Sequence, residues 1–139
     1  METHFSDIAH VIQLSVAPVF LLTAISTLIG AMNARLARIV DRRRVVLGVT
    51  ENGQATPEDN AELQSLASRR HLIYLAIFSA VVAALLVCLV VAGAFVGALM
   101  AIDLSRLVAA FFILAMGSMV AALTLLLREI YLAVGSAAR

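Results

Sequence analysis

Three long stretches of this chain carry no ionisable side chain. No Asp, Glu, Lys, Arg or His lies between residues 11 and 34, 72 and 102, or 107 and 127. One such group at the centre of a bilayer costs about 2.5–3.5 kcal/mol on insertion scales. A helix of about 20 mostly apolar residues crosses the hydrocarbon layer, and each stretch is long enough. They predict membrane-spanning helices over about residues 8–32, 72–102 and 107–127. The chain has 139 residues, so a single membrane domain over 1–139 is expected. It is 63% hydrophobic with a mean hydropathy of +1.03. A water-soluble domain this small has too much surface to hide that apolar content.

The first stretch does not read as a cleaved signal peptide, because Glu2 and Asp7 precede it and no Arg or Lys does. Orientation follows from the basic residues, which are all arginine. Arg35, Arg38, Arg42, Arg43, Arg44, Arg69 and Arg70 lie between the first two spans. Arg128 and Arg139 follow the third, and only Arg106 lies between the second and third. The arginine-rich side is expected to be cytoplasmic. The amino terminus and the 103–106 turn are then outside, the carboxy terminus inside.

Between residues 33 and 71 apolar residues persist at helical spacing among the charges: Leu36, Ile39, Val40, Val46 and Leu47, then Leu63, Leu66 and Ile73. Gly53 and Pro57 interrupt the middle. Thr56 or Asn60 is suited to cap a returning helix, with Glu58, Asp59 and Glu62 at its positive first turn. The expected fold is therefore all-α, with the first two of three spans extended into a cytoplasmic antiparallel helical hairpin over about 33–71. Such pairing puts Asp41 near Arg69 and Arg70, and Arg43 or Arg44 near Glu62 or Ser65.

The first span is the most polar. Gln13, Thr23, Ser26, Thr27, Gly30 and Asn33 lie along it. Ser26, Gly30 and Ala34 continue a four-residue spacing that lets helix backbones approach closely. Two readings of this face stay open: a helix-packing ridge, or the lining of a pore in a homo-oligomer. Pro18 removes one helix donor, and Ser15 is placed to serve the freed carbonyl. The spacing of Ala80, Ala83 and Ala84, then Ala92, Gly93 and Gly97, reads as close packing, as do Gly117 and Ser118. Cys88 is the lone cysteine, so no intrachain disulfide can form, and its apolar setting predicts a buried, inert thiol.

Arg35, Arg38 and Arg42 share a helix face, with Asp41 three residues after Arg38. With Arg69, Arg70 and Arg128 they form either an orientation signal that contacts anionic lipid headgroups, or a cytoplasmic mouth or docking surface. Arg128 and Glu129 end the third span at the same level. His4, His10 and His71 are scattered, no metal-ligand spacing occurs, and no paired carboxylates lie at membrane depth. No catalytic residue, metal or cofactor is expected, and enzymes and proton-driven transporters are disfavoured. The net charge of +1 gives no reason to expect nucleic-acid binding.

"APVFLLTAISTLIGAMNARLARIVDRRR" at 17–44, "RRHLIYLAIFSAVVAALLVCLVV" at 69–91 and "LLREIYLA" at 126–133 resemble an uncharacterised bacterial family of small three-span membrane proteins. It is classed as a domain of unknown function, of the DUF2721 type. "RLARIVDR" at 35–42 is the most specific block. The resemblance implies a three-span inner-membrane protein and no established activity. Residue pattern and resemblance together leave two expectations. One is a homo-oligomeric inner-membrane protein, a small ion channel with the first span lining the path. The other is a non-conducting scaffold or regulatory subunit that binds a partner through its cytoplasmic hairpin.

Overall fold

The computed structural model describes residues 2–53 and 56–137, with side chains for residue 6, 8–53 and 56–135. Three helices follow in chain order: α1 Glu2–Glu51, α2 Pro57–Met100 and α3 Ser105–Ala137. All three are long and apolar enough to cross a membrane, which makes the chain a multi-pass membrane protein. At about 1.5 Å per residue, α1 and α2 exceed the roughly 30 Å of a bilayer's hydrocarbon core. Each therefore has ample length beyond its apolar stretch. α1 continues unbroken through Pro18. Ser15 turns its hydroxyl to the Val11 carbonyl at 2.8 Å, and so does not serve the carbonyl that Pro18 frees.

The helix ends follow local chemistry. α1 stops in a turn where Gly53 adopts φ +73° and its N–H reaches the Thr50 carbonyl at 3.2 Å. The left-handed region costs glycine little. Thr56 caps α2: its Oγ1 accepts the Asp59 N–H at 3.3 Å, while Asp59 Oδ2 accepts the Thr56 N–H at 2.8 Å. This is a reciprocal capping box with Asp at the third position. Thr56 rather than Asn60 takes the cap, and Pro57 opens the helix where no N–H is needed. At the other end of α2, Ala101 is left-handed at φ +52°. The Ile102 N–H returns to the Gly97 carbonyl at 3.2 Å, the long bond of a Schellman cap. Asp103 Oδ1 then accepts the Ser105 N–H at 3.1 Å as α3 begins.

The chain divides into two compact units, Met1–Leu28 with Ser79–Val120, and Ile29–Phe78 with Ala121–Arg139. In the first, the buried residues are Ile25 from α1, Ala80, Ala83, Val87 and Val90 from α2, and Ala115 from α3. Close approach holds this unit: a Cβ on Gly93 would meet Val108 Cγ2 at 3.2 Å. The Ser118 hydroxyl donates to the Ser79 carbonyl at 2.7 Å across α3 and α2. A Cβ on Gly117 beside it would meet nothing within 4 Å, so Gly117 is not a point of close approach. Cys88 is exposed, not buried. It lies on the face of α2 opposite Ala83, Val87 and Val90, among residues such as Leu85 and Leu89 that are also exposed.

In the second unit the buried residues are Met32, Ile39 and Val46 from α1, Leu66, Ile73 and Ala76 from α2, and Ala122 and Glu129 from α3. A seven-residue spacing runs through every helix. It joins Ile25, Met32, Ile39 and Val46; Leu66, Ile73, Ala80 and Val87; and Ala115, Ala122 and Glu129. This is the period of knobs-into-holes helix packing. Large apolar side chains such as Phe20, Phe78, Ile113 and Leu127 remain exposed, an apolar surface suited to lipid.

Candidate functional site

The second unit holds the one buried charged residue among the described residues, Glu129. It continues the row of Ala115 and Ala122, so the same packing that hides those alanines hides a carboxylate. A buried charge persists only when paired and hydrogen-bonded, and two arginines supply the bonds. Arg69 donates through Nε and Nη2 to Glu129 Oε1 at 3.1 and 3.0 Å. Arg35 Nη1 reaches Oε2 at a looser 3.5 Å. Arg69 lies seven residues before Ala76, on the inward row of α2, and its side chain is only 21% exposed. Arg35 is 45% exposed and can be hydrated.

A second ion pair lies farther along α1 and α2. Arg42 Nε donates to Glu62 Oε1 at 2.6 Å and Nη2 to Oε2 at 3.1 Å, the two-pronged geometry that suits guanidinium and carboxylate. This hydrogen bond, then the Glu62 charge, holds the Arg42 guanidinium above its ordinary pKa. Asp59 is held below the usual carboxylate range, first by the Thr56 N–H and then by the Thr56 hydroxyl. Asp103 is likewise lowered, by the Ser105 hydroxyl and N–H.

These pairings correct the expected ones. Asp41 is exposed and forms no ion pair among the described residues; Arg69 goes to Glu129 instead. Glu62 takes Arg42 rather than Arg43 or Arg44. The difference is one of helix rotation: Arg42 and Glu62 are turned toward each other, and Asp41 is turned away. Arg35, Arg38, Arg42 and Arg69 come together with Glu129 around a cleft of about 180 Å³. Arg128 lines a separate cleft with Arg69, His71, Ser65 and Ser68. Arg70 is half-buried and lines neither. Sequence reasoning placed Glu129 near the arginines but missed its burial. Its seven-residue distance from Ala122, and from there to Ala115, was the available signal.

The first unit gives the polar span a different character. Gln13, Thr23, Ser26 and Thr27 are all exposed, on the side of α1 away from Ile25. Thr23, Ser26 and Thr27 each donate their hydroxyl to the carbonyl four residues back, at 3.3, 2.9 and 3.0 Å. The Gln13 amide is exposed and forms no side-chain hydrogen bond among the described residues. In the second unit Gly30 and Asn33 are exposed in the same way. A Cβ on Gly30 would meet nothing within 4 Å, so among the described residues no neighbouring helix packs closely on Gly30. An open cleft of about 510 Å³ lies in the first unit, lined by His10, Gly93, Gly97, Asp103 and Ser105 among others. The Asp7 side chain, placed outside by the orientation argument, falls beyond the described side chains, as do His4 and Arg139. Among the described residues no group of His, Cys, Asp and Glu is arranged to hold a metal ion.

A family model described as a protein of unknown function (DUF2721) matches residues 15–139. No curated protein and no solved structure matches the chain.

Proposed function

For a chain that belongs to the DUF2721 family, whose function is unknown, we propose a homo-oligomeric membrane protein whose subunits meet around the polar face of α1. Passive ion conduction along the shared axis is its activity. The observation that carries this reading is the outward direction of Gln13, Thr23, Ser26 and Thr27. The core of that unit is Ile25, Ala80, Ala83, Val87, Val90 and Ala115 and offers an ion no polar path. An amide facing hydrocarbon is costly unless protein or water meets it. Subunits arranged about an axis supply both. A channel needs only pore-facing polar atoms and an electrostatic mouth, and the arginine cluster is the mouth in this arrangement.

The reading includes a bacterial inner-membrane location, with the amino terminus outside and α1 and α2 extending inward as an antiparallel hairpin. Arginine distribution supports the orientation, and the Arg42–Glu62 pair supports the antiparallel return. Topology is tested in a Cys88→Ala background, since Cys88 is itself exposed. A cysteine replacing Asp103 should react with an impermeant thiol reagent from outside, and one replacing Asn52 should not. The reverse pattern would overturn the orientation.

A second reading keeps the oligomer without conduction, as a scaffold or regulatory subunit that binds a partner through the hairpin. The back-bonded hydroxyls of Thr23, Ser26 and Thr27 favour it, because spent donors tolerate a dry interface. Liposome flux decides between the two. The wild type should pass ions, and Gln13→Leu with Thr23→Leu should reduce the flux severalfold. No flux from a verified oligomer under voltage, tension or pH change would leave the scaffold. A strict monomer by native mass spectrometry in mild detergent would remove both oligomeric readings.

A further inference from the structure

We propose that the cleft between Arg35, Arg38, Arg42 and Arg69 is a binding site for one phosphate group of an anionic phospholipid, with Glu129 as its positioning residue. The site lies wholly within the second unit, and the proposal holds for a monomer or an oligomer, conducting or not. Ile39 and Leu66, both buried, are among its lining residues. Four arginines also line it, and the planar forks of their guanidinium groups match phosphate oxygens two at a time. Two carboxylates hold those forks in place. Glu129, 1% exposed, fixes Arg69 through two bonds and Arg35 through one. Glu62 fixes Arg42 by both oxygens. Arg38 is exposed and has no carboxylate partner among the described residues. Four arginines stand against Glu129 and Glu62, with the Asp59 charge also felt at Arg42, and this leaves the cleft net positive with its donors already oriented.

Sequence position selects the ligand's source. Arg35 is the first charge after the apolar stretch of α1, Arg69 stands just before that of α2, and Glu129 just after that of α3. The cleft therefore lies where apolar helix gives way to polar, the level of the headgroup layer that flanks the hydrocarbon core. A diffuse basic patch would attract the same lipids by charge alone. The two cases differ in one respect. Charge alone makes every arginine equivalent and makes Glu129 an obstacle. A built site makes Arg38 special and makes Glu129 necessary.

The full chain, purified in uncharged detergent, is titrated with phosphatidylglycerol and with phosphatidylcholine and read by native mass spectrometry. One phosphatidylglycerol per chain should be retained, in preference to phosphatidylcholine. Arg38→Gln should weaken retention about tenfold, the worth of one charge-assisted hydrogen-bonding group. Arg44→Gln, the same charge change at an exposed residue outside the cleft, should change it less than twofold. Glu129→Gln should also weaken retention although it adds net positive charge. Equal losses from Arg38→Gln and Arg44→Gln would overturn the site, as would tighter binding by a folded Glu129→Gln protein. Full displacement by millimolar inorganic phosphate would assign the cleft to a soluble anion and overturn the lipid assignment. Should Glu129→Gln fail to fold, the Arg38 and Arg44 pair decides alone, because both side chains are exposed.

Discussion

The two units of this protein are built from the same three helices and held by different physics. In the first, buried contacts are apolar and small: Ala80, Ala83, Val87 and Ala115, with Gly93 against Val108. The Thr23, Ser26 and Thr27 hydroxyls bond back to their own helix, and Ser118 reaches a carbonyl of α2. In the second, the inward rows carry charge, and Glu129 gathers arginines from two other helices. Lipid provides no hydrophobic drive between helices, so close packing and occasional hydrogen bonds must supply association. Outside the hydrocarbon, ion pairs add a directional choice of partner. The contrast is that one unit is specified by shape and the other by charge.

The strongest way to break this comparison is Arg69→Ala. It leaves Glu129 buried with only the loose Arg35 contact at 3.5 Å. A stability loss of about 3–5 kcal/mol is expected, read as a large fall in melting temperature in detergent. Arg35→Ala should cost far less, because Arg35 is 45% exposed and Arg69 remains. Equal losses would mean that Glu129 does not distinguish its partners. For the first unit the matching test is Gly93→Leu, which drives a side chain into Val108. Overpacking of this kind costs about 1–3 kcal/mol, and an unchanged melting temperature would refute the close approach. Ala101→Gly should stabilise by about 1 kcal/mol, since Ala101 sits at φ +52°.

Ser118→Ala removes the bond to the Ser79 carbonyl and should cost about 0.6 kcal/mol, the average for such bonds between membrane helices. Gly30→Val should leave the fold of one chain essentially unchanged, because nothing lies within 4 Å of the added carbon. Any effect should appear only in subunit association. A melting change without an association change would remove Gly30 from the subunit contact.

A small, pH-dependent effect belongs to the α2 cap. Asp59 has a lowered pKa from its Thr56 bonds, so its contribution is complete above the ordinary carboxylate value near 4. It fades as pH falls through the lower folded value. Protection of the amides at the start of α2, taken relative to their intrinsic exchange rate at each pH, should fall below about pH 4 in the wild type, and Asp59→Asn should flatten that fall.

Much of this architecture is legible in the sequence. The breaks at Gly53, Thr56 and Asp103 follow from backbone chemistry that acts over three or four residues. The three spans follow from stretches without charge. Glu129 was half-readable: its level was evident, its burial was not. Asp41 misled because, on one helix considered alone, it is as good a partner as any other acid for a nearby arginine.

The sequence by itself determined that there are three apolar helices long enough to span a membrane, and where the two breaks between them fall. Cost in hydrocarbon and capping are local properties that each segment carries alone. Only the tertiary structure decided which side of each apolar helix faces protein. Lipid and protein interior are equally apolar, so hydropathy does not separate Cys88 on the surface from Val87 in the core. It also decided that Arg69 takes Glu129 and Arg42 takes Glu62. A rotation of one residue about a helix axis turns a side chain by about 100°, enough to exchange one partner for another. Such a rotation is set by packing along the whole helix, which no single segment contains.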